Sequence, residues 1–335
     1  LKKKQPTREI FTEPNVKENP EVSVTREQGF RENFLKYHES QNTKKFENFF
    51  DKIDFDILKG IFIEFIKEHE FDGDEINFLN RDRIFSMENL STGGEFLPEK
   101  NAIILDEPEP KEFILVKENQ FKQKQEEIIG AYGSWDIYRL KVTIHEEVHA
   151  ISKNECVGLY NEDGTGRSEA RFSQIGFHQA YNTIPQEGYY RPEFHVEWAT
   201  HFFHALDEAI TERVCRIITL KYLEKTKFDA VASEVYKKNL ENNPSRLLHY
   251  QDEIDIISGI VKKVAIIHNK SEYEIWTKFE KGHLSGERFE GSELRHMLEK
   301  TFGDQFIEDL AWLWPANSNQ RAFQKFEDKY DLSSD

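Results

Sequence analysis

The chain has 335 residues, 45 basic against 62 acidic, and a net charge of −17. That length holds one large domain or two closely packed ones, and the acidic balance excludes nucleic acid as the main partner, because phosphates call for a basic stripe. The 27 Phe, 12 Tyr and 5 Trp exclude a disordered chain; the two cysteines, Cys156 and Cys215, are too few for a disulfide framework or a Cys-based zinc centre; and no apolar run reaches the ~18 residues of a membrane span.

Residues 1–42 are polar, with Pro6, Pro14 and Pro20, and read as an N-terminal tail. The basic opening has no apolar stretch behind it, so no intact signal peptide is expected, and the reading that follows is cytoplasmic. From Lys44 to Glu70 the residues Phe46, Phe49, Phe50, Ile53, Leu58, Ile61, Phe62, Phe65 and Ile66 recur at three and four, which predicts one or two amphipathic helices. Strand signals follow at Ile76–Phe78, Glu95–Leu97, Ala102–Leu105 and Phe113–Val116, broken by Gly93, Gly94, Pro98, Pro108 and Pro110. Gly94 to Leu105 reads as an antiparallel hairpin.

A helix is predicted from Ser134 or Asp136, either a fitting N-cap, to Ser152. Residues 157–195 are rich in Gly and aromatics without a helical period, so they read as a long connection carrying a β-hairpin. From Val196 onward the pattern is helical: 196–224, 228–240, 249–268, 271–282, 292–314 and 319–330. The fold class is therefore α+β. Beyond the tail it divides into residues 43–155, with the small sheet, and 156–335, with the hairpin-bearing insertion and a helical C-terminal part.

The helix that ends near Ser152 contains His145-Glu146-Glu147-Val148-His149, the HExxH pattern. Four residues of α-helix rise about 6 Å and turn about 400°, so both imidazoles leave one face and can converge on one ion. Neutral imidazole suits zinc, and Glu146 would stand beside the ion, placed to take a proton from a zinc-bound water. The same pattern would also fit a solvated, charged helix face. A catalytic zinc needs a third protein ligand, and His201–Glu212 reads HFFHALDEAITE. Glu208 could bind the ion while Glu212, one turn on, accepts the free ring N–H of a ligand histidine. Glu212 would equally serve as a mate for Arg213 or Arg216. His204 could replace or support Glu208, and Asp207 falls in the shell around the ion. His178 and His195 read as ordinary loop residues, and His69 and His283 show no partner pattern.

The two motifs together resemble the gluzincin zinc metallopeptidases, the thermolysin-like group, in which a HExxH helix follows a small sheet and a later helix supplies a glutamate in an EAxTE-type motif. The resemblance covers about residues 75–215. It implies a zincin-like fold with a small, mostly antiparallel sheet packed on the HExxH helix, and one zinc ion held by His145, His149 and Glu208. It further implies Glu146 as general base, Glu212 as the residue orienting a ligand histidine, and a Tyr such as Tyr250 at the oxyanion, with Tyr189 and Tyr190 as competitors. The expected substrate is a peptide or protein, laid along a sheet edge within Glu95–Leu105. The gap from His149 to Glu208 is 59 residues (208 − 149), longer than in thermolysin, which makes 153–195 an insertion. The metzincin extension is absent, since Ser152 and Glu155 occupy its Gly and third His positions. Hydrolysis of a non-peptide amide, a non-enzymatic binding protein on the same fold, and a helical interaction protein with a coincidental HExxH remain open from the sequence.

Overall fold

The computed structural model describes residues 47–71, 76–79, 81–88, 94–97, 102–107, 126–159, 169–182, 199–247, 250–287, 289 and 291–332. The expectations for the 1–42 tail, the strand at Phe113–Val116, Tyr189, Tyr190 and His195 lie outside the described residues. Those described form a mixed α+β structure, mostly helical, with two small sheets. Among them no helix is long and apolar enough to cross a membrane.

After a short helix α1 (Glu47–Phe50), α2 (Phe55–Glu68) starts at Asp54, whose carboxylate accepts from the Ile57 N–H at 3.0 Å. Its buried stripe is Leu58, Ile61, Phe62, Phe65 and Ile66, the three-and-four spacing of a helix with one apolar face. The first sheet has the order β1-β3-β2, with β1 Ile84–Glu88, β2 Gly94–Leu97 and β3 Ala102–Glu107. β2 and β3 form the expected antiparallel pair, Gly94 opposite Leu105, while β1 runs parallel to β3. Ile76–Phe78 is not a strand: Phe78 and Leu79 are buried anchors, and the Leu79 N–H donates to Glu147 at 3.1 Å. The pairing falls instead on β1, which has one buried Ile at its start and little apolar alternation to announce it.

α3 (Trp135–Ile151) begins at Ser134, whose hydroxyl accepts from the Ile137 N–H, and lies against β2 and β3. The second sheet is wholly antiparallel, in the order β4 (Asn154–Leu159), β5 (Glu169–Ile175), β6 (His178–Asn182), β7 (Ala199–Phe202). Four of the five strand pairings in the two sheets are antiparallel.

The helix predicted over 196–224 is corrected at its start. Ala199–Phe202 pairs with β6, Phe203 takes a left-handed φ of 58°, and the helix α4 runs from His204 to Thr226. With no Gly or Pro to mark the change, the run Phe202-Phe203-His204-Ala205-Leu206 hides a strand-to-helix corner. α4 is buried along nearly its whole first half, from Ala205 to Cys215 with only Arg213 excepted, as befits a helix packed on several sides. It touches α2, α3, β6 and the helices α5 (Ala230–Asn242), α6 (Gln251–His268) and α7 (Glu272–Ser285). The helix predicted over 292–314 is corrected to two, α8 (Glu293–Phe302) and α9 (Phe306–Ala311), parted at Gly303 with φ 93°. α10 (Ala316–Tyr330) ends the described chain. One continuous apolar cluster runs from Phe49 to Leu332.

Candidate metal centre

Burial on α3 puts the HExxH residues inside. His145, Glu146, Glu147 and His149 are all buried, because Leu140, Ile144, Val148 and Ile151 draw the helix into the core from one side while α4 covers the other. The two histidine rings lie 5.1 Å apart, nearly perpendicular.

Both rings turn Nε2 toward one carboxylate oxygen on α4. Glu208 Oε2 is 3.2 Å from His145 Nε2 and 3.8 Å from His149 Nε2. A tetrahedral ion with bonds of ~2.0–2.1 Å spaces its donors about 3.3 Å apart, so these separations fit one ion between them. The three donor atoms lie within 4.8 Å of one another in a buried setting, and the group could hold a metal ion. The second oxygen, Glu208 Oε1, is taken by His204 Nε2 at 3.3 Å, which leaves Oε2 aimed at the two ligand candidates. Burial alone would raise the Glu208 carboxyl, but hydrogen bonds with His145, His149 and His204 hold it well below the carboxylate range.

The opposite ring atoms are held from α4 as well. His145 Nδ1 is 3.2 Å from Glu212 Oε2, and His149 Nδ1 has Thr211 Oγ1 as its hydrogen-bond partner at 3.5 Å with Asp207 Oδ2 equally near. Among the described residues Asp207 Oδ2 is buried without a hydrogen-bond partner, an acceptor facing the ring that ligation would orient. Glu212 is wholly buried; burial would raise its carboxyl, but the charge of Lys141, the hydrogen bond from His145 and the charge of Arg216 bring it far down. Lys141 Nζ forms a very short ion pair with its Oε2, and Arg216 Nε donates to Oε1 at 2.8 Å. Glu212 is thus the mate of Arg216, while Arg213 pairs with Glu280 at 3.0 Å, and it also stands against the ring of His145. A second buried group, His145, Glu212 and Cys215, also satisfies donor spacing. Its carboxylate is already neutralised by Lys141 and Arg216, so a cation gains least there.

Glu146 points away from this pair of shells toward the first sheet. Its Oε2 accepts from the Phe96 N–H of β2 at 2.8 Å. Gly94 is where strand and helix close up: a Cβ there would stand 2.7 Å from Val142 Cγ1 and 3.3 Å from Glu146 Cγ. Burial raises the Glu146 carboxyl, moderated by the nearby His145 and His149.

Tyr250 stacks on His145 with ring centres 5.6 Å apart and planes at 11°. Its hydroxyl shares a hydrogen bond with Glu208, and the Glu208 charge together with burial pushes the phenol well up. Its backbone is left-handed, φ 56°, at the start of α6, a conformation that costs a non-Gly residue free energy. The structure thus brings His145, His149, His204, Asp207, Glu208, Glu212 and Tyr250 together, with Glu146 next to His145 on the helix and turned to β2.

Sequence reasoning missed four neighbours. His178 is not a loop residue but opens β6, its ring stacked on His204 at 4.6 Å and its Nε2 2.8 Å from His201 Nδ1. Burial and the neighbouring histidines hold His178 down to about 3. His201 sits on β7 rather than in the helix predicted over 196–224. His283, on α7, is fully buried with its Nδ1 2.9 Å from Asp207 Oδ1. Lys141 lies one turn before His145, and its Lys-x-x-x-His spacing was the one local signal available. The chain matches no family model, no curated protein and no solved structure.

Proposed function

We propose that the protein is a zinc-dependent peptidase of the zincin type, with His145, His149 and Glu208 holding the ion. The observation that carries this is a division of labour. Three donors converge with their outer atoms braced by Glu212, Asp207 and His204, while Glu146, one step round the helix, is kept apart by the Phe96 N–H. Two neutral imidazoles and one carboxylate suit zinc more than a harder cation. Zinc, when bound, supplies Lewis-acid polarisation of a carbonyl and acidifies water.

The chain's own residues would do the rest. Glu146 would accept a proton from the attacking water and return it to the leaving amine. The Phe96 N–H fixes which Glu146 oxygen stays free. Among the described strands β2 lies at the edge of its sheet, with an outward side away from β3, and its Phe96 N–H is given to Glu146. An extended peptide can pair along that outward side, so backbone recognition and the base adjoin each other. Tyr250, whose ring stacks on His145, would donate its hydroxyl to the developing oxyanion.

The test compares the zinc-loaded protein with Glu146→Gln on a complex peptide mixture, reading new termini by mass spectrometry. Wild type should generate them, and Glu146→Gln should bind equal zinc and cut at least 10²-fold more slowly, the lower range for a lost general base. Equal cutting by both would remove Glu146 from the reaction. Full zinc with no cutting by wild type would favour a binding protein on the same site.

A further inference from the structure

We infer that His283 is a positioning residue for this metal centre, holding Asp207 so that its second oxygen serves His149. The inference rests on the reading of His149 as a ligand. Asp207 is bound unequally. Its Oδ1 receives three donors: the Phe177 N–H at 2.8 Å, the His178 N–H at 3.2 Å and His283 Nδ1–H at 2.9 Å. Its Oδ2 has no hydrogen-bond partner among the described residues, and stands 3.5 Å from His149 Nδ1, a distance that Thr211 Oγ1 shares. A carboxylate pinned through one oxygen keeps the other aimed, and the aim here is the ring atom that sets a ligand histidine's orientation and tautomer.

His283 is the one side chain among the three donors, and it reaches both site helices. Its Nε2 lies 2.8 Å from Ser152 Oγ, at the end of the HExxH helix, and 3.4 Å from Thr211 Oγ1 on α4. No slack surrounds it. Gly176 closes over the contact with φ 55°, and a Cβ there would fall 2.3 Å from His283 Nδ1 and 2.5 Å from Asp207 Oδ1. The β5–β6 turn therefore has glycine because the Asp207–His283 hydrogen bond fills the space above it.

Two substitutions at His283 separate positioning from packing. In His283→Asn the amide nitrogen reaches the place of Nδ1 and can still donate to Asp207. In His283→Gln it reaches the place of Nε2, keeping the Ser152 contact and losing Asp207. Zinc affinity is read by competition with a chromophoric chelator, and folding by circular dichroism. His283→Gln should weaken zinc by about tenfold, the low end for loss of an outer partner, and His283→Asn by less than about threefold. Equal losses, or none, in two folded variants would overturn the inference. Wild type gives an independent reading through its histidine ring resonances during zinc titration. His283 should shift in step with His149 at one equivalent, while His69, paired with Glu280, should stay still. A motionless His283 would overturn the inference even if neither variant folds. Absence of zinc binding by wild type would overturn it together with the ligand assignment, whereas normal binding with a silent His283 removes the inference alone.

Discussion

Glu212 shows how one side chain can serve stability and chemistry together. It is fully buried between Lys141, Arg216 and His145. Removing it strands a buried ammonium, a loss of roughly 3–5 kcal/mol, besides loosening His145. Among the described residues the ion pairs and hydrogen bonds of Glu208 are with histidines and Tyr250, and no Lys or Arg is paired with it. Urea unfolding without metal should therefore rank Glu212→Ala well below wild type and Glu208→Ala nearer to it, while zinc affinity should fall more in Glu208→Ala. The reverse ranking in either measurement would contradict these roles. Gly94→Ala should cost about 1–3 kcal/mol by overpacking, because its new methyl meets the stiff Val142 side chain at 2.7 Å. Unfolding midpoints equal to wild type would show that β2 can move off the helix.

Between elements, the α2–α7 contact makes a pH prediction. His69, which caps α2, gives one ring nitrogen to the Phe65 carbonyl and the other to Glu280, both at 2.8 Å. Burial is the largest single influence and lowers its pKa, but the hydrogen bonds with Glu280 and the Phe65 carbonyl and the charges of Glu280 and Glu68 together outweigh it and raise the value above 6.5. A raised folded-state value means that the protonated ring stabilises the fold. That contribution is fully present below the unfolded value of about 6.5 and fades as pH rises through the folded one. His69→Gln should flatten this part of the stability curve; an unchanged slope between pH 6 and 9 would contradict it. How far elements were legible depended on their signals. α2 and α3 carried three-and-four stripes and capping residues, so their placement followed from Leu58–Ile66 and Ser134. β7 did not, because Thr200-His201-Phe202-Phe203 has no alternation and turns at a left-handed Phe rather than a Gly. Spacing alone could place His145 and His149 on one face, and the EAITE run marked Glu208 and Glu212. His283 was beyond reach, since its partner Asp207 lies 76 residues earlier and only tertiary packing joins them.

At the scale of the molecule, α4 is the hub: it supplies Asp207, Glu208 and Glu212 and packs against both α2 and α3. An ion bridging α3 and α4 therefore ties the first sheet's helix to the helical C-terminal part. Metal binding only to the folded state stabilises it by about 2.7 kcal/mol at a hundredfold excess over the dissociation constant. Zinc should accordingly raise the unfolding temperature of wild type and of Glu146→Gln, and should leave His145→Ala where a chelator leaves it. Equal protection of His145→Ala would place the ion elsewhere.

The central claim is one ion shared by His145, His149 and Glu208, and anomalous diffraction at the zinc edge from zinc-grown crystals tests it most directly. The account predicts one strong internal peak, with Nε2 of both histidines and one Glu208 oxygen at ~2.0–2.2 Å and Glu146 outside bonding distance. A peak held by Glu212 and Cys215, a Glu208 turned away from the ion, or no peak between α3 and α4 would contradict it.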